Sequence, residues 1–291
     1  MILESNIAEQ IVAGPDPVSG EAHPLGGLAD YSRITPEAAA VLAAGYRGEQ
    51  TGEAACPGVG SVPVAHCEMD LSGLGSINTA VARALARWNP RLAEPDEAVC
   101  TLFLGGLRHA SARAWRALAE WSVSAGTAHL VLSGVWELDV AGARALGRWS
   151  GGNRSSHLHL DQLPVLTPEA AAELTAGYLE SIVLGGRTVT LETAVLLGQA
   201  GYGRITLSRP DRIGPDALLA LGGLTPDGRP RPERASPEFA RAKPLELYLG
   251  ERGDLLRQPT RETLMAISLL RRAGVKVPLS RAAERALRAL R

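Results

Sequence analysis

The sequence predicts an α/β protein built from a repeated strand–turn–helix unit. Three observations predict it: a helix-start motif that is written twice, apolar residues spaced two apart at intervals, and an Ala- and Leu-rich helical stretch after each pair. The two copies of the motif, LTPEAAAELTAGY at residues 166–178 and ITPEAAAVLAAGY at 34–46, agree at ten of thirteen positions. Such repetition is typical of arrays in which each unit packs on its neighbours.

The repeated motif carries the signals of a helix N-terminus. Thr167 can cap the helix with its hydroxyl, Pro168 suits the first helical position, and Glu169 complements the positive end of the helix dipole. The same arrangement recurs, with variation, at residues 35–37, 214–216 and 236–238.

A pair of apolar residues two positions apart, the period of a β-strand, precedes each predicted helix. Seven pairs predict seven strands: Met69/Leu71, Leu102/Leu104, Leu130/Leu132, Leu158/Leu160, Ile182/Leu184, Ile205/Leu207 and Leu247/Leu249. Successive pairs are 33, 28, 28, 24, 23 and 42 residues apart, so the shortest steps define a unit of 23 residues. A weaker strand ending at Leu28 begins one further unit at residues 25–45 and brings the number to about eight.

Aromatic residues recur with the same period. The segments RALARW, RALAEW and RALGRW place Trp88, Trp121 and Trp149 at one position of consecutive predicted helices. Three tyrosines fall near that position in other units: Tyr46, Tyr178 and Tyr202. We interpret the tryptophans as a stack along the core or edge of the array; a binding stripe is the alternative.

With these units the chain resembles leucine-rich repeat (LRR) proteins, in particular the divergent bacterial kind whose units read L-x-L-x-x-L-x-x-L-[ST]-x-E-A-A. Residues 158–171, LHLDQLPVLTPEAA, match that form closely; residues 69–82, MDLSGLGSINTAVA, and 102–115, LFLGGLRHASARAW, match it loosely. The resemblance covers residues 25–273. It implies an LRR-like solenoid of about eight strand–turn–helix units, with a parallel sheet on the concave face and short helices on the convex face.

The chain departs from that family at the position where the usual repeat has Asn or Cys bonded to the turning backbone. The residues found there are Leu74, Leu107, Val135, Leu163, Arg187 and Pro210. We therefore expect apolar packing, rather than a polar ladder, to hold the turns.

The ends of the array should be closed by polar caps. We assign residues 1–24 to an N-terminal cap, 25–273 to the array with insertions at 47–67 and 222–243, and 274–291 to a C-terminal capping helix. Three prolines before residue 25 should end the first helix near residue 13. The segment from Arg271 to the last residue contains seven basic residues and only one Glu. This excess of positive charge makes a nucleic-acid-binding accessory subunit an alternative function. The absence of interleaved aromatics favours a solvated cap instead.

Composition narrows the function classes. The net charge of −1 over 291 residues does not suit a chain built to hold a polyanion. Three cysteines, an odd number without framework spacing, indicate a reducing compartment. Glu4 and Glu9 stand where a signal peptide would have basic residues, and no apolar run reaches the roughly 18 residues of a membrane span. These features predict a cytoplasmic protein without a membrane partner.

Catalytic and metal motifs are weak. Cys56, His66 and Cys67, with His109 or Cys100, have the residue types of a zinc site, but no C-x-x-C pair is present. A zinc-binding protein or thiol enzyme centred on these residues is an alternative. The glycine-rich LGGLTPDG at 221–228 reads as a turn and not as a phosphate loop. The sequence therefore predicts no catalytic residue, no metal and no cofactor.

The strands predict a different kind of site. If Leu158 and Leu160 point inward, His157, His159 and Asp161 point outward, and His129 lies beside His157 on the neighbouring strand. Such a patch could bind metal, change charge between pH 5 and 8, or contact a partner; an ordinary polar surface is the alternative.

The outward positions of all the predicted strands vary in chemistry, whereas the inward positions do not. They read Glu68/Asp70, Thr101/Phe103, His129/Val131, His157/His159, Ser181/Val183, Arg204/Thr206 and Glu246/Tyr248. We therefore predict a non-catalytic recognition module that binds a protein or peptide on its concave face, alone or as a subunit of a larger assembly. The predicted partner-binding residues are Asp70, Phe103, His129, His157, His159, Asp161, Arg204 and Tyr248.

Overall fold

A computed structural model describes most of the chain: residues 1–13, 28–46, 54–56, 60–62, 66–90, 98–124, 126–152, 155–177, 179–208, 213–230, 245–250 and 260–290. The chain divides into two compact units. The first spans Met1–Val135 and Arg148–His159, and the second spans Trp136–Gly147 and Leu160–Arg291.

The described residues form strands and helices that alternate over much of the chain, with one short 3-10 helix at Leu28–Asp30. In chain order they are β1 (Ile2–Leu3), α1 (Ser5–Ala13), β2 (Arg33–Ile34), α2 (Pro36–Gly45), β3 (Ala54–Cys56), β4 (Gly60–Val62), β5 (His66–Asp70), β6 (Ser76–Ile77), α3 (Thr79–Leu85), β7 (Val99–Phe103), β8 (His109–Ala110), α4 (Ala112–Leu118), β9 (Ser122–Val123), β10 (Thr127–Val131), α5 (Val140–Gly147), β11 (Gly151–Gly152), β12 (Ser155–Leu160), α6 (Pro168–Leu174), β13 (Ser181–Leu184), α7 (Leu191–Gln199), β14 (Arg204–Leu207), α8 (Pro215–Leu221), β15 (Glu246–Leu249), α9 (Arg261–Arg272) and α10 (Arg281–Ala289).

The main sheet confirms the α/β prediction. It contains seven parallel strands in the order β15–β14–β13–β12–β10–β7–β5, and these are the seven strands that the apolar pairs predict. In the first unit the inward residues Met69, Leu102, Leu130 and Leu158 lie opposite one another on successive strands. In the second unit the corresponding residues are Ile182, Ile205 and Leu247. All seven are fully buried.

The prediction of a strand ending at Leu28 is wrong. Leu28 begins the 3-10 helix, and the strand of this region is β2, which pairs in parallel with β1 at the start of the chain. Leu28 is three residues from Leu25, a spacing typical of a helical turn rather than of a strand. Helix α1 ends at Ala13, as the following prolines predict.

The helix starts form as the motif predicts. The Thr35 hydroxyl accepts a hydrogen bond from the amide of Ala38 at 3.1 Å, and the Thr167 hydroxyl accepts one from the amide of Ala170 at 3.2 Å. Pro215 is the first residue of α8, where Gly214 provides no side-chain cap. The predicted start at residues 236–238 lies outside the described residues.

The turns after the strands are held by buried apolar residues and by the backbone. Leu74, Leu107 and Val135 are fully buried, and each donates its amide to the carbonyl three residues earlier at 3.0 Å. Leu163 follows the same pattern, whereas Arg187 is exposed and Pro210 lies outside the described chain. A Cβ added to Gly106 would overlap the carbonyl oxygen of Ser72, so this turn packs directly on the backbone of the preceding one.

The three tryptophans form the predicted stack, but beyond the helices rather than in them. Trp88, Trp121 and Trp149 follow the last residues of α3, α4 and α5, and all three are fully buried. Neighbouring indoles are nearly parallel, with ring centroids 5.9 Å and 5.8 Å apart. Tyr202 is also buried and donates its hydroxyl to the carbonyl of Leu174, whereas Tyr178 lies outside the described residues.

The predicted insertions are only partly described. Within 47–67, β3 and β4 pair antiparallel, and His66 and Cys67 belong to β5. At 222–230 the predicted turn is present, because Gly228, with φ +79°, donates its amide to the carbonyl of Thr225.

The C-terminal helix predicted at 274–291 is α10. Before it, Lys276 exchanges backbone hydrogen bonds with Leu245 and Leu247 beside β15, which adds a bridge that the sequence did not predict.

Candidate recognition surface

The outward side of the sheet in the first unit is set by strand alternation. Along β10 and β12 the residues Ala128, Leu130, Ser156 and Leu158 are buried, while the residues between them are half-buried. Because consecutive side chains of a strand point to opposite faces, the half-buried set faces away from the core. We call these residues and their neighbours on β5 and β7 the outward surface: Glu68, Asp70, Thr101, Phe103, Thr127, His129, Val131, Ser155, His157 and His159.

Three histidines gather at one place on the outward surface. His129 lies opposite His157 in the strand register, and their rings stack with centroids 4.3 Å apart and planes 11° from parallel. The ring of His159 is 5.5 Å from that of His129, and the His129 Nδ1 and His159 Nε2 atoms are 3.3 Å apart. The predicted juxtaposition of His129 and His157 is therefore confirmed, and His159 joins them.

Two hydroxyls extend this cluster along the strands. Thr127 Oγ1 lies 2.9 Å from Ser155 Oγ, which lies 3.2 Å from His157 Nε2. These contacts link the hydroxyls of Thr127 and Ser155 to the imidazole of His157, so the polar cluster continues along both strands. Sequence reasoning did not include Thr127 and Ser155, although their spacing of two from the histidines placed them on the same face.

The other predicted residues of the first unit differ in exposure. Phe103 is half-buried and follows Thr101 on β7, and Thr101 itself is covered to 7 % exposure. Asp70 is exposed, and its carboxylate accepts a hydrogen bond of 2.9 Å from the amide of Ser72. Asp70 therefore also stabilises the turn after β5, a local role that the sequence analysis did not predict.

The second unit has a separate outward cluster. Arg204 forms an ion pair of 2.7 Å with Glu246 and lies over the ring of Tyr248, with its guanidinium carbon 5.2 Å from the ring centroid. Lys276 pairs with the same carboxylate at 3.2 Å. The hydrogen bond from Arg204 is the main reason why the pKa of Glu246 lies below its usual value, and Lys276 lowers it further.

Asp161, the last predicted site residue, follows directly after β12 and is half-buried in the second unit. Its backbone carbonyl accepts a hydrogen bond of 3.3 Å from the Ser208 hydroxyl.

Cys67 and Cys100, the two cysteines whose side chains the structure describes, are both buried. Cys67 and Cys100 lie opposite each other on β5 and β7, and both are buried on the inward side. Burial raises the pKa of the Cys67 thiol; burial, together with Cys67, raises that of Cys100 to about 12. A raised pKa favours the protonated thiol, which is a weaker nucleophile than the thiolate.

The remaining members of the predicted zinc set are not brought together by the described residues. His109 is exposed on β8, and the side chains of Cys56 and His66 lie outside what the structure describes. Within the described ranges, no group of three His, Cys, Asp or Glu side chains has the arrangement needed to hold a metal ion.

Known proteins provide no assignment, since no protein-family model, curated protein or solved structure matches the chain. None of the helices in the described ranges has the length and apolar character that crossing a bilayer requires.

Proposed function

We propose that the chain is a non-catalytic recognition protein, an LRR-like solenoid whose outward strand surface binds a protein or peptide partner. The strand register, the capped helices and the apolar turns support the LRR-like interpretation, because each recurs at the predicted positions. In this proposal the seven-stranded sheet lines the concave face of the solenoid.

The histidine cluster is the observation that carries the proposal. His129, His157 and His159 stand on neighbouring strands of a sheet whose opposite face is fully buried, so the backbone holds them rigidly. Binding costs less when the contacting side chains already occupy fixed positions, because less conformational entropy is lost. A preorganised set of imidazoles and hydroxyls therefore suits recognition of a partner with hydrogen-bonding groups.

The neighbours of the cluster define what the partner should offer. Phe103 gives an apolar contact on one side of the cluster, and Glu68 with Asp70 gives carboxylates on the strand beyond it. We expect a peptide segment that places an apolar side chain at Phe103, polar groups at the histidines and a basic group towards β5. Aromatic residues, including Phe, are enriched at protein–protein interfaces, which suits Phe103 as the apolar contact.

Site-specific photo-crosslinking in the native cell tests the assignment. A benzophenone amino acid replaces Phe103 in one variant and His157 in another; the control replaces Arg116, which is exposed on α4 of the same unit. We expect one discrete protein to be crosslinked from Phe103 and His157 but not from Arg116. If the same proteins are crosslinked from all three positions, or from Arg116 alone, the outward surface is not the binding site.

A further inference from the structure

The second unit exposes four large apolar side chains near the starts of three successive helices. Trp136 is 63 % exposed, Val140 40 %, Val165 51 % and Leu191 46 %. Each stands either just before one of the helices α5, α6 and α7 or at the first residue of that helix. We call these four residues the apolar rim. A tryptophan exposed to this extent is unusual on a protein surface and is the residue type most enriched at binding hot spots.

The segments that carry the apolar rim lie side by side. Helix α5 packs against α6, and α6 packs against α7. The Thr193 hydroxyl, in the first turn of α7, donates a hydrogen bond of 3.1 Å to the carbonyl of Leu166, which directly follows Val165. This hydrogen bond joins the N-terminal ends of α6 and α7. Because the three helices pack in succession, we treat the apolar residues at their N-terminal ends as one surface.

Carboxylates accompany the apolar rim. Glu137, Glu169 and Glu192 are exposed on the same three segments. Among the residues that the structure describes, none of the three forms an ion pair. A ligand of the rim should therefore combine apolar side chains with basic ones.

Helix α10 of the same unit has that composition. Ala283 and Leu287 are buried, whereas Arg281, Arg285 and Arg288 are exposed at a spacing that places them on one face. Leu290 beside them is 41 % exposed. The acidic residue of the helix, Glu284, is already paired with Arg271 at 2.6 Å, and the three arginines have no ion pair in the described part of the chain.

The two surfaces are separated within one molecule. The helices of the second unit pack in sequence, with α8 and α9 between α7 and α10. We infer that the apolar rim of one copy binds the α10 face of a second copy, so that the chain self-associates head to tail. The arginines meet the carboxylates, and Trp136 packs against the apolar stems of the arginines and Leu290. This inference uses a surface separate from the proposed recognition site and does not depend on it.

Head-to-tail contacts leave one surface free at each end, so assembly should continue as concentration rises. The contact depends on exposed charges, so salt should weaken it. Sedimentation velocity of the full chain, at rising protein concentration and at low and high salt, tests both expectations. A species that remains monomeric at every concentration in low salt would overturn the inference.

A charge swap tests the assignment of the two surfaces. Glu169→Arg with Glu192→Arg should weaken self-association by about tenfold or more, and so should Arg285→Glu with Arg288→Glu. A mixture of the two variants, or the variant with all four changes, should restore it. Arg116→Glu, on α4 of the first unit, is the charge-matched control and should have no effect.

Circular dichroism shows whether each variant is folded, and Trp136→Ala gives a second perturbation without a charge change. Trp136→Ala should weaken association by about tenfold, as truncation of an interface tryptophan commonly does. Association that is insensitive to the reversals and to Trp136→Ala would contradict the assignment.

Discussion

The indole of Trp121 lies nearly parallel to that of Trp88 and donates its Nε1 proton to the backbone carbonyl of Trp88 at 2.8 Å. Trp149 repeats both the stacking and the hydrogen bond with Trp121, at 2.7 Å. The indole of Trp88 donates a hydrogen bond to the backbone carbonyl of Tyr46 at 2.9 Å. Each indole thus buries a large apolar surface and satisfies a carbonyl near the end of the preceding helix. The stack therefore belongs to the core of the first unit. Because the three side chains are fully buried, they offer no surface to a ligand.

Loss of one tryptophan of the stack should destabilise the protein strongly. Trp121→Ala creates a cavity and removes the donor to the Trp88 carbonyl, so we expect a loss of about 3–5 kcal/mol in the free energy of unfolding. Trp136→Ala, at a site that is 63 % exposed, should change it by no more than about 0.5 kcal/mol. Urea denaturation followed by circular dichroism measures both. Equal effects from the two substitutions would show that the stack does not stabilise the fold.

Two adjacent glycines provide a matched test of the turn packing. A Cβ at Gly105 would lie 3.4 Å from the Ser72 Cβ, an ordinary contact, but a Cβ at Gly106 would overlap the Ser72 carbonyl oxygen. Gly106→Ala should therefore lower the free energy of unfolding by about 1–3 kcal/mol, since the neighbouring turn must move. Gly105→Ala should lower the free energy of unfolding by less than about 1 kcal/mol. Thermal unfolding of the two variants measures both effects. A larger loss of unfolding free energy for Gly105→Ala than for Gly106→Ala would contradict this packing.

Much of the fold could be predicted from the sequence because its signals are local. Apolar pairs such as Leu130/Leu132 and caps such as Thr167 predict a strand and a helix start within a few residues, and both form where predicted. The register of His129 with His157 followed from aligning neighbouring repeats, so the centre of the candidate site could also be predicted.

Long-range partners could not be predicted in this way. The pairing of β1 with β2 and the bridge from Lys276 to Glu246 join segments about 30 residues apart, without any repeated pattern to align them. The sequence analysis also placed the tryptophans inside the helices, whereas Trp88, Trp121 and Trp149 follow the helix ends at Leu85, Leu118 and Gly147. Helix ends are set within a residue or two and are difficult to place from a periodic pattern. Trp136 lies in the loop between β10 and α5. Its exposure depends on which other residues cover that loop, and the apolar periodicity of the sequence carries no information about this.

We predict that Arg271 stabilises the packing of α10 on α9 and is not a nucleic-acid contact. Its guanidinium donates to the Val277 carbonyl at 2.5 Å and to Glu284 at 2.6 Å, which joins α9 to α10. Arg271→Ala should therefore lower stability by about 1–3 kcal/mol and speed amide hydrogen exchange within α10. Arg272→Ala, at an exposed neighbouring position, is the control and should change neither. Unchanged exchange in α10 after Arg271→Ala would show that these hydrogen bonds do not hold the helix.

The buried thiols of Cys67 and Cys100 should be unreactive in the native protein. Cys67 and Cys100 are almost fully covered, and the pKa of Cys100 is raised to about 12. Neither should react with a thiol reagent at pH 8 until the protein is unfolded, whereas both should react rapidly in denaturant. Rapid labelling of either thiol in the native protein would contradict their burial.

The same shift predicts a pH dependence of stability. The unfolded chain releases the Cys100 proton near the ordinary pKa of 9.0, whereas the folded chain keeps it up to about 12. The stabilisation is thus complete below pH 9 and is lost as the pH rises towards 12, by up to about 1.4 kcal/mol per pH unit. The difference in free energy of unfolding between wild type and Cys100→Ala should fall over that range. A constant difference would contradict the shift.

The central claim is tested most directly by isothermal titration calorimetry. The titrant is the partner protein that the photo-crosslinking experiment identifies from positions Phe103 and His157. The comparison is between the wild type, a variant with His129, His157 and His159 changed to Ala, and a control with Arg113 and Arg116 of α4 changed to Ala. If each imidazole contributes about 1 kcal/mol, the triple histidine variant should bind about 100-fold more weakly, and the α4 control should bind like the wild type. A folded triple variant that binds with wild-type affinity would contradict recognition by the outward surface.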